Sequence, residues 1–406
     1  MKGNRNGRVC CSAALVPLVI ALGACQGDSL SLGEETAAQA APDGSRCAAS
    51  TTLVGTVVVN QASDLDALAG CEAIEGNLEI AQFAGADLRP LASLRSVAGD
   101  LNIGKTPSVA EFWTVLEGGW LESFEGLEAL ERVGALAIEN VNAPDLRPLA
   151  NLRHVNANAT GSWRAGELVI ERSHRLVDLS GLEKLQGVTS LHIVDNDALE
   201  SLDGLSLPFR LEDINLGHNP RLSNLDALAN VQFVDLLQIH TTGVRDLAAL
   251  SGLGVAERIQ VAYNPELVDM SALPLWGMLQ ALVVESNPKL DGTLVVPNRA
   301  SVFVSGNAAL DRVEVEELTA TGDTWRGGGL DTRIVIGNNL GLSSIDLGGI
   351  ERCAELVIGG NDSLTQLEIP ALVGAVTLDV RLNRRLSTAS LAGVQSLERR
   401  VSDNAD

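Results

Sequence analysis

The clearest feature of the chain is a short pattern, apolar-x-x-Asn-x-x-Leu, that recurs with constant internal spacing. One copy runs from Ile193 through Asn196 to Leu199. The Asn positions of this pattern are Asn196, Asn219, Asn264, Asn287, Asn307, Asn339, Asn361 and Asn383. Most copies follow one another at intervals of roughly 20–23 residues, which indicates one repeated structural unit per copy.

Each copy begins with a short stretch of alternating apolar and polar residues, such as Leu191-His192-Ile193. Alternation puts the apolar residues on one face of a β-strand and the middle residue on the other. One such strand cannot bury its apolar face alone, so the repeats are expected to stack. The pattern predicts a right-handed solenoid of about 13–14 leucine-rich-repeat-like coils with a parallel β-sheet.

The Asn of each repeat is predicted to be structural, because a chain that turns at a fixed corner needs partners for its backbone groups. A buried Asn amide can bond backbone groups of its own coil and of the neighbouring coils. Thr and Ser can replace it in part, and Ser173 and Thr242 stand at equivalent positions. The stacked coils are therefore expected to carry an Asn ladder, which we exclude as a catalytic site.

Several phrases of the sequence carry a resemblance to a known family. They include GNLEI at 76–80, GDLNI at 99–103 and NPRLSNLDAL at 219–228. With the repeats, they make residues 50–395 resemble the receptor L domain, the leucine-rich-repeat-like solenoid of insulin and epidermal growth factor receptor ectodomains. Bacterial surface leucine-rich-repeat proteins look similar. The resemblance implies a solenoid but no particular ligand, and one solenoid or two abutting L domains are both compatible with it.

Composition and charge limit the kinds of partner that the chain is expected to bind. The 406 residues include five Trp, six Phe and one Tyr, so the core must consist mainly of Leu, Ile and Val in thin, similar layers. The net charge of −23 opposes attraction to nucleic acid or to an anionic membrane surface. The predicted partner is a protein or a glycan at the cell surface, with no nucleic acid.

The N-terminus reads as an export signal. Lys2, Arg5 and Arg8 precede a short apolar run, which predicts a signal peptide over residues 1–24. The sequence Leu22-Gly23-Ala24-Cys25 resembles the bacterial lipobox, and this resemblance implies a lipid on Cys25 as the sole membrane contact, anchored in the outer membrane or cell envelope. An ordinary signal peptide is the alternative. Residues 25–50 are expected to form the lipidated Cys and a flexible tether, 51–396 the solenoid, and 397–406 a disordered tail.

Three cysteines remain after residue 25. Export makes a disulfide possible. Cys47 and Cys71 flank the first predicted strand and are the candidates, whereas Cys353 is expected to be a buried free thiol.

The middle residue of each strand is expected to face outward, so a candidate binding surface can be read from the sequence. It consists of His192, Asn215, Gln238, Gln260, Val283, Phe303, Val335 and Val357. The first four are polar and the last four are apolar. An exposed apolar stripe usually marks a contact with another molecule, although a neighbouring loop could also cover it.

Three insertions of about ten residues interrupt the repeat, and each carries tryptophan. The residues are Trp113, Trp120, Trp163 and Trp325. Loops on a rigid scaffold often bind ligands, and Trp is favoured at binding hot spots. These residues therefore join the candidate surface, and packing of the loops onto the body is the alternative.

Enzyme motifs are absent from the sequence. It has no Gly-x-Ser-x-Gly elbow, phosphate loop or His-Glu-x-x-His run. The five His residues stand at different places within their repeats and are not expected to stack into a metal cluster. We predict a non-catalytic envelope lipoprotein for recognition or adhesion, with no cofactor or metal. The alternatives are a polysaccharide-active right-handed β-helix enzyme and a passive structural envelope protein.

Overall fold

The computed structural model describes residues 47, 50–81, 88–104, 121–155, 165–273, 279–297, 300–316 and 332–405. All of them belong to one compact unit within Ala37–Asp406. The predicted signal peptide, the lipidation site Cys25 and most of the predicted tether lie outside the described residues.

Strands dominate the described part of the chain. They are β1 Thr52–Val54, β2 Val57–Val59, β3 Ala73–Glu75, β4 Leu78–Ile80, β5 Ser96–Ile103, β6 Arg132–Glu139, β7 His154–Val155, β8 Glu167–Glu171, β9 Ser190–Val194, β10 Arg210–Asn219, β11 Phe233–Thr242, β12 Val255–Ala262, β13 Ala281–Glu285, β14 Gly292–Pro297, β15 Ser301–Ser305, β16 Leu310–Glu316, β17 Arg333–Gly337, β18 Ser344–Asp346, β19 Arg352–Gly359, β20 Gln366–Glu368, β21 Gly374–Arg381 and β22 Gln395–Ser402. The helices are α1 Ala62–Asp66 and short 3₁₀ helices at Arg89–Leu91, Arg147–Leu149, Asp226–Leu228, Ala248–Leu250 and Ala389–Leu391.

One parallel sheet runs along the whole described body. Its main series of neighbours is β2, β4, β5, β6, β8, β9, β10, β11, β12, β13, β15, β17, β19, β21 and β22. Each strand pairs with the strand of the next coil, so the coils form one uninterrupted array. The result is a parallel β-solenoid of about 14 turns, which confirms the predicted fold class.

The core is a continuous column of aliphatic side chains. In one coil, Leu191 and Ile193 from the strand meet Leu199 and Leu202 from the segment that returns to the next strand, and all four are fully buried. The same arrangement recurs along the solenoid in a single connected core. Each coil contributes only a thin layer, which explains why so few aromatic residues are needed.

The return side of the solenoid has two different structures. Five of the described return segments contain a short 3₁₀ helix, whereas β14, β16, β18 and β20 form a second parallel sheet of four strands. β-Branched residues such as Val295, Val313 and Ile345 occupy this segment and favour extended backbone. The sequence pattern did not predict this second sheet.

The Asn ladder is present and fully buried at the eight predicted positions. At a representative position, the Asn287 backbone N–H donates to Oδ1 of Asn307 in the next coil at 3.0 Å. Its Nδ2 donates to the Val261 carbonyl of the preceding coil at 3.0 Å. Thr242 takes part as well, since its hydroxyl donates to Asn264 Oδ1 at 2.7 Å.

The prediction of a disordered tail at residues 397–406 is wrong for the part of it that the structure describes. Strand β22 covers Gln395–Ser402 and pairs with β21. Asn404 extends the ladder, because its Oδ1 accepts the Asn383 N–H at 3.1 Å and its Nδ2 donates to the Val380 carbonyl at 2.8 Å. Val401-Ser402-Asp403-Asn404 repeats the apolar-x-x-Asn part of the pattern.

Cys47 and Cys71 form a disulfide across 24 residues at the N-terminal end of the described body. Cys353 is a buried free cysteine, as predicted. Burial raises the pKa of its thiol to about 11. No helix among the described residues is both long enough and apolar enough to cross a lipid bilayer.

Candidate binding surface

The outward column, defined as the eight predicted positions from His192 to Val357, forms one line across the main sheet. Successive members pair in register on neighbouring strands, for example Asn215 with Gln238 and Val283 with Phe303. All eight side chains are half-buried. Because parallel strands lie about 4.8 Å apart, the column spans on the order of 35 Å.

The equivalent middle positions of the strands directly before and after the outward column are buried. On the N-terminal side Asn102, Ala137 and Val169 are buried, and on the C-terminal side Asp379 is buried. Arg381 donates two hydrogen bonds of 2.5 and 2.7 Å to Asp379, and hydrogen bonding to this carboxylate raises the pKa of Arg381. Beyond these buried positions the line is accessible again, at Val58 and Glu79 on the N-terminal side and at Arg400 on the C-terminal side.

The first half of the outward column is polar. Gln238 Nε2 donates to Gln260 Oε1 at 3.0 Å, so these amides are held by one another. His192 Nε2 lies 3.6 Å from Glu167 Oε1. Oδ1 of Asn215 is buried and accepts no hydrogen bond from a described residue. This half offers amide and imidazole groups for directional contacts.

The second half, which we call the apolar stripe, consists of Val283, Phe303, Val335 and Val357. On one side, the residue two positions further along the strand is small for three of the four, namely Ser305 on β15, Gly337 on β17 and Gly359 on β19, whereas Glu285 follows Val283 on β13. Added Cβ atoms at these two glycines would lie 3.2 and 3.3 Å from carbonyl oxygens of the next strands. Phe303, Val335 and Val357 therefore have no long side chain beside them on this side of the stripe.

A cluster that the sequence analysis missed lies beside the polar half. His218 Nδ1 and Asp195 Oδ1 are 3.0 Å apart, and the rings of His218 and His240 meet edge to face with centroids 5.1 Å apart. The sequence analysis expected no His metal cluster and did not foresee this contact between two His rings. Gly217 explains the contact, because a Cβ there would lie 2.3 Å from His240 Cε1.

The surroundings of His240 change its proton affinity. Burial lowers its pKa, the neighbouring His218 lowers it further, and Asp195 opposes both effects. Across the described residues, no three His, Cys, Asp or Glu side chains are arranged to hold a metal ion. The cluster presents one partly buried imidazole next to a His–Asp pair.

Tyr263 is a second surface group that the sequence analysis missed. Its hydroxyl donates to Glu285 Oε1 at 3.0 Å, and this hydrogen bond raises the pKa of Tyr263. Asp195, His218 and Tyr263 each directly precede a ladder Asn. That position always lies at an outer corner of the coil, so the spacing of the repeat could have identified all three.

The predicted Trp positions cannot be placed on this surface. Trp113, Trp120, Trp163 and Trp325 all lie outside the described residues. Their proposed part in binding stays a prediction.

Comparisons with known proteins give only distant similarities. No protein-family model matches the chain, and no curated protein matches it. Among solved structures, it is similar to an internalin from Listeria monocytogenes, with 17% identity, 88% of this chain and 87% of that chain covered, and a TM-score of 0.37. It is also similar to a leucine-rich-repeat protein from Leptospira interrogans, with 13% identity, 76% and 90% coverage, and a TM-score of 0.23. Neither similarity identifies a ligand or an activity for this chain.

Proposed function

We propose that this chain is a non-catalytic recognition scaffold that binds a protein partner on the outward column. The observation that carries the proposal is the agreement between the chemistry of the column and its accessibility. Half-buried amides lead directly into four consecutive apolar side chains, and the line of positions is buried on either side of them. A polar half can orient a partner, while an apolar stripe supplies most of the binding free energy.

The chemistry of the outward column favours binding over catalysis. Its members are one imidazole, three amides, three valines and one phenylalanine. An enzyme acting on polysaccharide would use paired carboxylates on such a face, and the column contains none. A passive envelope role would leave the apolar stripe without a contact to make.

The experiment is a quantitative binding measurement with a purified partner obtained from envelope extract. Phe303→Asp places a charge in the centre of the apolar stripe and should weaken binding by more than about tenfold. Phe209→Asp is the matched control, because Phe209 is 62% exposed and lies outside the column. Unchanged thermal unfolding would show that both variants are folded.

If Phe303→Asp bound the partner with the same affinity as the wild type, the apolar stripe would not be part of the binding surface. Retention of a polysaccharide from a glycan panel, with no protein partner retained, would replace protein by glycan as the ligand class. Trp325→Ala, measured alongside, tests whether the Trp-bearing insertions belong to the same surface.

The proposal includes export and attachment to the cell envelope through a lipid on Cys25. It rests on the sequence Leu22-Gly23-Ala24-Cys25 and on the preceding basic and apolar segments. Cys25→Ser should move the protein from the membrane fraction to the soluble fraction of the producing cells. Continued membrane association of that variant would remove the anchor from the proposal.

A further inference from the structure

The polar half of the outward column has a negatively charged border. The positions two residues before the middle of each strand are in register from β8 to β12. These positions and the ones directly before them carry five carboxylates, which we call the acidic border: Glu167, Glu212, Asp213, Asp235 and Glu257. Two basic residues stand nearby, namely Arg258 in the same line and Arg210, which forms an ion pair with Asp235 at 3.3 Å. The border therefore has a surplus of negative charge.

The corresponding positions beside the apolar stripe carry no such surplus. They are Gln280, Ala281, Ala300, Ser301, Thr332, Arg333, Ala354 and Glu355. Their one basic and one acidic residue balance each other. A partner that covers the whole outward column thus meets a negative surface at one end and an apolar, electrically balanced surface at the other.

Asp213 is the member of the acidic border that most needs a cation. It is half-buried on the outward face of β10, and it has no ion pair or side-chain hydrogen bond with another described residue. By contrast, Glu167 lies 3.6 Å from His192. Partial burial removes hydration from a carboxylate, so an opposite charge brought next to it is favourable.

A second group on the same strand lacks a donor. Oδ1 of Asn215 is buried and accepts no hydrogen bond from a described residue. Its neighbours in register are His192 and Gln238. Gln238 Nε2 donates to Gln260, and His192 Nε2 lies 3.6 Å from Glu167, so neither of these nitrogens serves it. A buried acceptor without a donor is unfavourable, and Lys and Arg side chains carry donors only.

The positions of these two groups allow one cation to contact both. Asp213 and Asn215 stand on the same face of β10, two residues and about 6.6 Å apart along the strand. Strand β15, which carries Phe303, is four strand spacings away from β10, or about 19 Å. A partner that reaches both places has a cationic group and an apolar group separated by about this distance.

We propose that the partner on the outward column is a basic and apolar polypeptide segment. It presents a Lys or Arg side chain to Asp213 and Asn215, and its apolar part covers the apolar stripe. This inference rests on the proposed function and specifies the chemistry of the partner. The cationic contact fixes the direction in which the segment lies, since the two ends of the column differ in charge.

The probe for the test is a library of random peptides displayed on phage and selected on the purified chain. Enriched peptides are synthesised, and their dissociation constants are measured. They are expected to combine Lys or Arg with apolar residues. Asp213→Lys should weaken their binding by more than about tenfold, because it places a like charge against the cation. Asp213→Asn, which preserves the shape of the side chain, should weaken it severalfold and reduce its dependence on salt.

The matched control is Asp226→Lys, which makes the same change of net charge at an exposed position on the return side of the same coil. It should bind the peptides like the wild type. Thermal unfolding shows whether each variant is folded, and Asp213→Asn carries the test if Asp213→Lys is not.

Phe303→Asp separates this inference from the proposed function. If the peptides lose affinity for Phe303→Asp but bind both Asp213 variants as tightly as the wild type, the cationic contact is wrong and the binding surface stands. Enriched peptides without Lys or Arg, or an equal loss of affinity in Asp226→Lys, would also overturn the inference. If no enriched peptide depends on Phe303, the proposed function and this inference are both wrong.

Discussion

At each regular outer corner of the solenoid, one residue before the ladder position holds a left-handed backbone conformation. Asp195, His218 and Tyr263 have φ values of 58°, 52° and 56°. A residue other than glycine pays on the order of 1–3 kcal/mol for this conformation, so surrounding structure must impose it. The buried Asn that follows supplies this constraint, because its amide ties the corner to the coils on both sides.

Asn287→Ala is expected to lower the free energy of unfolding by about 1–3 kcal/mol, because it leaves buried backbone groups without partners. Among them are the Val261 carbonyl and the Asn264 N–H, which bond the Asn287 side chain. Chemical denaturation measures the loss. Asn230→Ala is the control, since Asn230 is exposed on a return segment. Similar losses in both variants would show that the ladder contributes nothing specific.

His240→Gln is expected to reduce the acid sensitivity of the fold. In the unfolded chain the imidazole titrates at its ordinary pKa of 6.5, whereas in the folded protein burial and His218 lower its pKa. Below about pH 6.5 the unfolded state therefore takes up a proton that the folded state resists, and stability falls. Above that pH the stability is fully retained.

The measurement is the free energy of unfolding at about pH 7 and about pH 5. The decrease between the two should be smaller in His240→Gln than in the wild type. His154→Gln, at an exposed position, should leave the decrease unchanged. An identical decrease in all three proteins would contradict the assignment of this acid sensitivity to His240.

At the level of elements, the strands could be predicted from the local alternation of apolar and polar residues, but the structure of the return segments could not. A strand such as Leu191-His192-Ile193 shows its buried face through a period of two. A return segment has no such period, and its structure depends on the segments stacked above and below it. The extended segments β14 and β16 pair with each other, whereas Asp226–Leu228 forms a 3₁₀ helix.

The stability of the N-terminal end of the described body depends on a covalent link, the disulfide bond. Cys71→Ser opens a loop of 24 residues and is expected to lower stability there by about 3 kcal/mol. Hydrogen exchange should show faster opening of β1 to β3, while central strands stay protected. The variant with both Cys47→Ser and Cys71→Ser should match the single one, since one bond is lost in each. Unchanged exchange in β1 to β3 would show that the link does not stabilise this end.

At the scale of the whole molecule, stability is shared between neighbouring coils. Each coil buries its apolar residues against the coil before and the coil after it, as the pairings of β10, β11 and β12 illustrate. Stability of such an array is approximately a sum of unit and nearest-neighbour contributions. An interior coil therefore has two stabilising contacts and a terminal coil has one.

Hydrogen exchange in dilute solution is expected to rank the strands by their distance from the ends. The amides of β11 and β12 should exchange last, and those of β22, which pairs with β21 alone among the described strands, should exchange early. Peptide-resolved mass spectrometry provides the measurement. Simultaneous exchange of all strands would indicate one cooperative unit and contradict this ranking.

The sequence by itself determined the period of the coils, the Asn ladder and the face on which each strand residue lies. These properties depend on spacing within one repeat, and spacing is visible in the chain. It also identified the outward column, since His192 and Phe303 stand in the middle of alternating stretches. Whether that column binds a partner is a property that spacing does not encode.

Only the tertiary structure decided which groups from different coils meet and which surfaces stay open. His240 contacts His218 because its ring lies over Gly217 of the preceding strand. Among the described strands β22 pairs with β21 alone, and Asn404 bonds the Val380 carbonyl of the preceding coil as the other ladder residues bond theirs. Contacts and exposure depend on the neighbours that stacking brings together, and a repeat pattern read one unit at a time contains no information about them.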